Sequence, residues 1–346
     1  MNSFKKTRFQ FALITIFFLL FGIGIQSYGQ NTINNQAKMA FKKLQNKQKD
    51  DGSWRSVFSF DTIPENFKTE FCSWHNLIMI DLLKPMAKNT QLDSLMLKSM
   101  AYVKTVFYDS VSGLVKFGTR IKEYPKDADD TALFWLLNES SDTTLISGII
   151  DTLLKYRDET GLYHIWLREE GCYKLRACGN NPNPLDFLSN IHVYLFLNKY
   201  APDLAIELCN AFSQNSDNLE NLWVYNSMTP WLYYIRQIDL EKSGCELAWD
   251  DFDGKTTVFT GQEIYTEMAK LIRDLSLGRE VETNSTRAWE VLQILSDEKF
   301  EYIKTHPIAM FHNDLSARKP AFFWSYDLPY ALWLRLYYEY TIKPAK

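Results

Sequence analysis

Lys126-Asp127-Ala128-Asp129-Asp130-Thr131-Ala132 places three carboxylates within four residues, directly ahead of the apolar run Leu133-Phe134-Trp135-Leu136-Leu137. The run predicts a helix, and the three acids then crowd its first turn. Asp127 and Asp130, three apart, share a face, while Asp129 lies about 100° away. Like charges this close do not all ionise cheaply, so at least one carboxyl is expected to hold its proton at neutral pH and serve as a donor. The same residues have a simpler reading. Asp127 can be an N-cap with Asp130 at N3, both favoured by the helix dipole, leaving Asp129 as one more solvated acid.

Outward from this stretch the chain repeats a unit of helix, turn and apolar helix. Residues 34–48 carry Ala37, Ala40, Phe41 and Leu44 on one side and end at Asp50-Asp51-Gly52-Ser53-Trp54; an apolar helix is expected from Glu70 to Leu83. The unit recurs as Leu92–Phe107, the turn at Ser112-Gly113-Leu114, and Asp127–Asn138. It recurs again as Thr144–Tyr156, the turn at Thr160-Gly161-Leu162, and Leu185–Leu197. Apolar-helix starts near Glu70, Asp127 and Asp186 give a period of roughly 57–59 residues, long enough for an array of helical hairpins. Further helices are expected at Leu204–Phe212, Ser227–Ile238, Ile264–Leu275, Arg287–Phe300 and Asp327–Tyr340. One helix of each pair is apolar nearly all round and should be buried; its partner is amphipathic and should lie outside. The expected fold is therefore all-α: a single α/α toroid of five or six hairpins spanning residues 30–346 as one domain. Glu70, Asp127, Asp129, Asp130, Asp186 and Asp327 would converge on one mouth.

The N-terminus reads as a secretory signal peptide, residues 1–29. Lys5, Lys6 and Arg8 precede the apolar stretch Phe11–Ile25, and Ser27-Tyr28-Gly29 supplies small residues before a cut at Gln30. Export to the periplasm or beyond is expected, with an uncleaved membrane anchor as the alternative. Of the five cysteines, Cys72, Cys172, Cys178, Cys209 and Cys245, the pair Cys172 and Cys178 is closest in sequence and the first candidate for a disulfide. No Cys-x-x-Cys or His-Glu-x-x-His spacing occurs, so neither a metal nor a cofactor is expected. With a net charge of −4 and no basic cluster, nucleic acid is not expected as a partner.

Two motifs resemble a known superfamily. Gln48-Lys49-Asp50-Asp51-Gly52-Ser53-Trp54 fits the QW repeat of terpenoid cyclases and prenyltransferases. Ala40 and Leu44 stand where that repeat has them, and Lys43 replaces its usual aromatic. Asp127-Ala128-Asp129-Asp130-Thr131-Ala132 is similar to the D-x-D-D-T-A motif of class II terpene cyclases of the squalene–hopene cyclase type. The resemblance implies that Asp129 donates a proton to an alkene or epoxide of an isoprenoid while Asp127 and Asp130 orient it. Aromatic faces would then steady the cation; Trp74, Phe134, Trp135, Tyr194, Trp231 and Tyr330 are candidate walls, each equally readable as core. The family's sites usually lie between two toroids, so a second toroid chain is a candidate partner, as is the surface of a membrane that carries polyprenyl lipids.

Other residues add to the candidate site. Asp186, Asn190 and His192 follow the turn-rich Asn180-Asn181-Pro182-Asn183-Pro184, and His75 beside Trp74 is placed to pair with Asp129 across the ring. For these, N-capping and polar core satisfaction are the competing roles. Asp250-Asp251-Phe252-Asp253-Gly254 lacks the spacing of a calcium loop and reads as surface. Two rival functions fit the same pattern. Acid pairs in an aromatic-lined funnel also suit an exported hydrolase or lyase acting on oligosaccharides, and a non-catalytic toroid could hold a peptide or lipid.

Overall fold

A computed structural model of the chain describes residues 32–60, 67–70, 72–87, 90–118, 125–167, 183–215, 230–245, 247, 261–312 and 321–342. The signal segment, Cys172, Cys178, residues 180–182 and 250–254, and the start of the helix expected from Ser227 lie outside them. The protein is mostly helical. Its helices are α1 (32–47), α2 (Ser73–Leu83), α3 (Thr90–Val106), α4 (Ala128–Leu137), α5 (Thr143–Leu154) and α6 (Phe187–Tyr200). They continue with α7 (Pro202–Gln214), α8 (Pro230–Lys242), α9 (Glu263–Leu277), α10 (Val281–Thr305) and α11 (Leu328–Ile342).

The all-α expectation needs correcting, because a small antiparallel sheet is also present. Its strands are β1 (Ser56–Ser59), β2 (Lys68–Glu70), β3 (Ile308–His312) and β4 (Phe322–Ser325), in the order β2-β1-β4-β3. Val57 faces Trp324 and Phe58 faces Phe323, so strands from opposite ends of the chain zip together. The helix expected from Glu70 accordingly begins at Ser73, because Lys68–Glu70 is already spent on pairing with Ser56–Phe58. The helix expected over Arg287–Phe300 is longer and broken. The backbone leaves helical geometry at Asp297 and passes through the left-handed region at Glu298, Lys299 and Phe300. Such residues cost about 1–2 kcal/mol each. The break sets Phe300, fully buried, against Tyr330 and Trp333 of α11, with ring centres 5.6 and 5.3 Å away.

Helix neighbours run in a closed order. α2 packs on α4, α4 on α6, α6 on α8, α8 on α9, α9 on α11, and α11 on α2. α3 lies against α2, α7 against α6, and α10 against α9 and α11. α2, α4 and α6 are buried on almost every face, as their unbroken apolar runs predict. α5 and α7 bury one stripe each.

One hydrogen-bonding device recurs at the start of three buried helices. Four residues after the N-cap, a polar side chain grips the backbone of the preceding turn. Asn76 accepts from Trp54 N at 2.9 Å and donates to Trp54 O at 3.1 Å. Asn190 does the same to Tyr163, at 2.7 and 2.9 Å. Thr131 accepts from Val115 N at 3.0 Å. The turns themselves need glycine: Gly52, Gly113 and Gly161 have φ of 90°, 74° and 83°. A side chain at Gly52 would also collide with the Lys98 carbonyl, 2.3 Å from where its Cβ would stand. This repeated clamp fixes where each buried helix begins, and so where the acids at those starts are held.

Candidate functional site

Asp127 caps α4 by accepting from Asp130 N at 3.1 Å, and Asp186 caps α6 by accepting from Ser189 N at 3.1 Å. The capping reading of both residues is therefore correct. The solvated reading of Asp129 is not, since Asp127, Asp129 and Asp130 are only 4%, 5% and 0% exposed.

Donors from two other helices converge on the Asp129 carboxyl. Trp74 Nε1 of α2 donates to Oδ2 at 3.1 Å. Ser189 Oγ of α6 lies 3.3 Å from the same oxygen and 3.3 Å from Asp186 Oδ1, bridging two acids. His192 Nδ1, one helical turn further along α6, meets Oδ1 in a short contact. Behind it, Arg236 Nε of α8 donates to His192 Nε2 at 2.7 Å. Arg236 in turn meets Asp81 of α2 at 2.8 Å and Asp239 at 3.2 Å. Burial works against the charge on Arg236, but those two carboxylates more than offset it and leave its pKa above the ordinary value. The site is thus one chain of polar groups linking α4, α6, α8 and α2.

The flanking acids differ from Asp129 in their surroundings. Burial first, then the charge of Asp129, holds the Asp127 carboxyl well above the ordinary carboxylate range. Burial, then the charges of Asp127 and Asp129, does the same for Asp130. Neither oxygen of Asp130 has a hydrogen-bond partner of good geometry among the described residues. The neighbouring Ser73 hydroxyl is committed to the carbonyls of Lys116 and Phe117, at 2.8 and 2.9 Å. Both flanking acids are thus pushed towards their protonated forms.

A run of aromatic rings starts at the Asp129 partner Trp74. Phe311 packs edge-on to it at 5.3 Å, Phe117 to Phe311 at 5.5 Å, and Trp166 to Phe117 at 6.4 Å. Phe323 stacks on Phe311 at 4.4 Å. Trp166 closes the run beside the acids, because its backbone bridges to Asp127. The small sheet and the turns before α4 and α6 thus bring aromatic rings together beside the cluster.

Of the residues singled out from sequence, Trp74, Asp186 and His192 join the three acids. His75 does not face Asp129: its Nε2 lies 2.9 Å from Ser325 Oγ at the end of β4, and burial lowers its pKa to about 3. Trp135 donates to Gly113 O at 2.8 Å, six residues along α4 from Asp129, which is about 9 Å of helix. Trp231 donates to Ala309 O at 3.1 Å, tying α8 to β3. Tyr330 packs on Phe300, and burial raises its phenol to about 12. Asp327 pairs with Lys47 at 3.2 Å rather than joining the cluster. Sequence reasoning missed Arg236, Ser189 and Asp81. Arg236 left a signal, as a cation inside the apolar run Trp231-Leu232-Tyr233-Tyr234-Ile235 and Ile238.

Among the described residues no cluster of His, Cys, Asp or Glu is suited to a metal ion, and no helix is long and apolar enough to cross a membrane. No protein-family model matches this chain, and none of the curated proteins does.

Proposed function

We propose that the chain is an exported, terpenoid cyclase-like protein built as a single α/α toroid, in which Asp129 gives a proton to an isoprenoid and so starts its cyclisation. The toroid reading is supported by the closed order of helix neighbours and by the clamp repeated at Trp54, Val115 and Tyr163. Export is supported by the disulfide between Cys209 and Cys245, a bond that persists in oxidising compartments.

The observation that carries the chemistry is the convergence of three donor side chains on a buried carboxyl. An alkene is a very weak base. Its protonation succeeds only where water is shut out and the charge left on the acid is well held. Trp74, Ser189 and His192 are placed to hold that charge. Burial pushes Asp127 and Asp130 towards their neutral forms, which reduces the negative charge that would oppose it. The ring run from Trp74 to Trp166 places aromatic side chains, the residues that steady a carbocation, next to Asp129.

The test is to incubate the chain lacking residues 1–29 with linear polyprenols, their terminal epoxides and a set of oligosaccharides, and to analyse products by mass spectrometry. Cyclised isoprenoid is expected, with a loss of about 10³-fold in Asp129→Asn. Unchanged turnover in Asp129→Asn refutes the role of Asp129. New reducing ends from an oligosaccharide replace the isoprenoid reading with the carbohydrate one.

A further inference from the structure

Arg236 is buried on α8 and its guanidinium serves three partners on three sides. Nε faces His192 Nε2 at 2.7 Å, one terminal nitrogen lies 2.8 Å from Asp81, and the other lies 3.2 Å from Asp239. A guanidinium in a protein donates and never accepts. The nitrogen it faces must therefore carry a lone pair, and a neutral imidazole with its lone pair on Nε2 has its hydrogen on Nδ1. That hydrogen points at Asp129 Oδ1.

We propose that Arg236 is a positioning residue that locks His192 as the neutral Nδ1–H tautomer, so that His192 donates to Asp129 and cannot take its proton. This rests on the reading of Asp129 as the proton donor. Without the lock, His192 is free to carry its hydrogen on Nε2 and turn a basic Nδ1 towards Asp129. In a buried pair that arrangement passes the acid's proton to the imidazole, and the site loses the acid that the substrate needs. Asp81 and Asp239 complete the device by holding the guanidinium in place from α2 and from its own helix. His192 is fully buried, so solvent does not compete for either ring nitrogen.

The direct test is ¹⁵N NMR of the full chain labelled at histidine, with His192 assigned by the signals lost in His192→Gln. The wild-type spectrum is expected to show His192 protonated on Nδ1 and unprotonated on Nε2. Arg236→Gln is expected to convert it to the imidazolium or the Nε2–H form and to lower kcat by about 10²-fold with KM within about twofold. An imidazolium or Nε2–H form in the wild type overturns the proposal, whether or not the variant folds. So does an Arg236→Gln protein that folds and keeps the wild-type tautomer. Failure of the wild type to turn over any isoprenoid, with the Nδ1–H tautomer observed, removes the proposed function and leaves the lock standing.

Discussion

At the scale of the residue, Asp127, Asp129 and Asp130 show how three identical side chains in one helical turn acquire different work. Asp127 is spent on its cap, Asp129 is met by donors from α2 and α6, and Asp130 is buried with no partner of good geometry among the described residues. The raised Asp130 carboxyl has a consequence for stability. The folded chain keeps a proton that the unfolded chain releases above its ordinary value of 3.8. Stability from this group is therefore full below that value and is lost as pH rises towards the raised one. Asp130→Asn removes the liability. Its Tm at pH 8 is expected to exceed that of the wild type by about 2–4 °C, with the gain fading near pH 4. Thermal unfolding at the two pH values checks this, and a pH-independent difference contradicts it. Asp127 and Asp129 were legible as candidate chemistry because neighbouring acids before an apolar run are visible in any window. Arg236 was not assigned, because nothing local says that α8 turns it towards a histidine on α6.

The helix-start clamp is the unit that matters at the scale of the element. Asn190 satisfies both the N–H and the carbonyl of Tyr163, two buried backbone groups 27 residues back along the chain. Asn190→Ala strands both and is expected to cost about 2–4 kcal/mol. Asn190→Asp keeps the acceptor but turns an oxygen onto the Tyr163 and Asp186 carbonyls in place of the N–H, and is expected to cost more than Asn190→Ala. Urea unfolding with an unchanged m-value measures both, and equal costs would show that the pair of bonds is not the cause. Helices were largely legible because ten or more residues of apolar pattern carry a clear period. The sheet was not. Ser56–Ser59 and Phe322–Ser325 are four-residue runs whose strand character comes from each other, across nearly the whole chain. Runs that short have too few turns of any period to be separated from loop.

For the whole molecule, the closed order of neighbours puts the two chain ends in one assembly, through α11 on α2 and β4 on β1. The Cys209–Cys245 bond ties the middle of α7 to a residue three positions past α8, across a sequence separation of 36. Sequence proximity favoured Cys172 and Cys178, a pair outside the described residues; Cys209 and Cys245 meet only because α7 and α8 both lie beside α6. Replacing both Cys209 and Cys245 by Ala is expected to cost about 3–4 kcal/mol of stability, read by denaturant unfolding of the two oxidised proteins, whereas a loss under about 1 kcal/mol would mean that the crosslink constrains little. The Asp129 site depends on the same closure, since its groups come from α2, α4, α6 and α8.

If Asp129 starts the reaction on an alkene, it delivers a solvent-derived proton to carbon. Running the reaction of a linear polyprenol in D₂O, and locating deuterium in the product by mass spectrometry and NMR, follows that proton. One deuterium is expected at the carbon protonated first, and no such product from Asp129→Asn. A cyclised product without deuterium, or the same labelled product from Asp129→Asn, would contradict this role of Asp129.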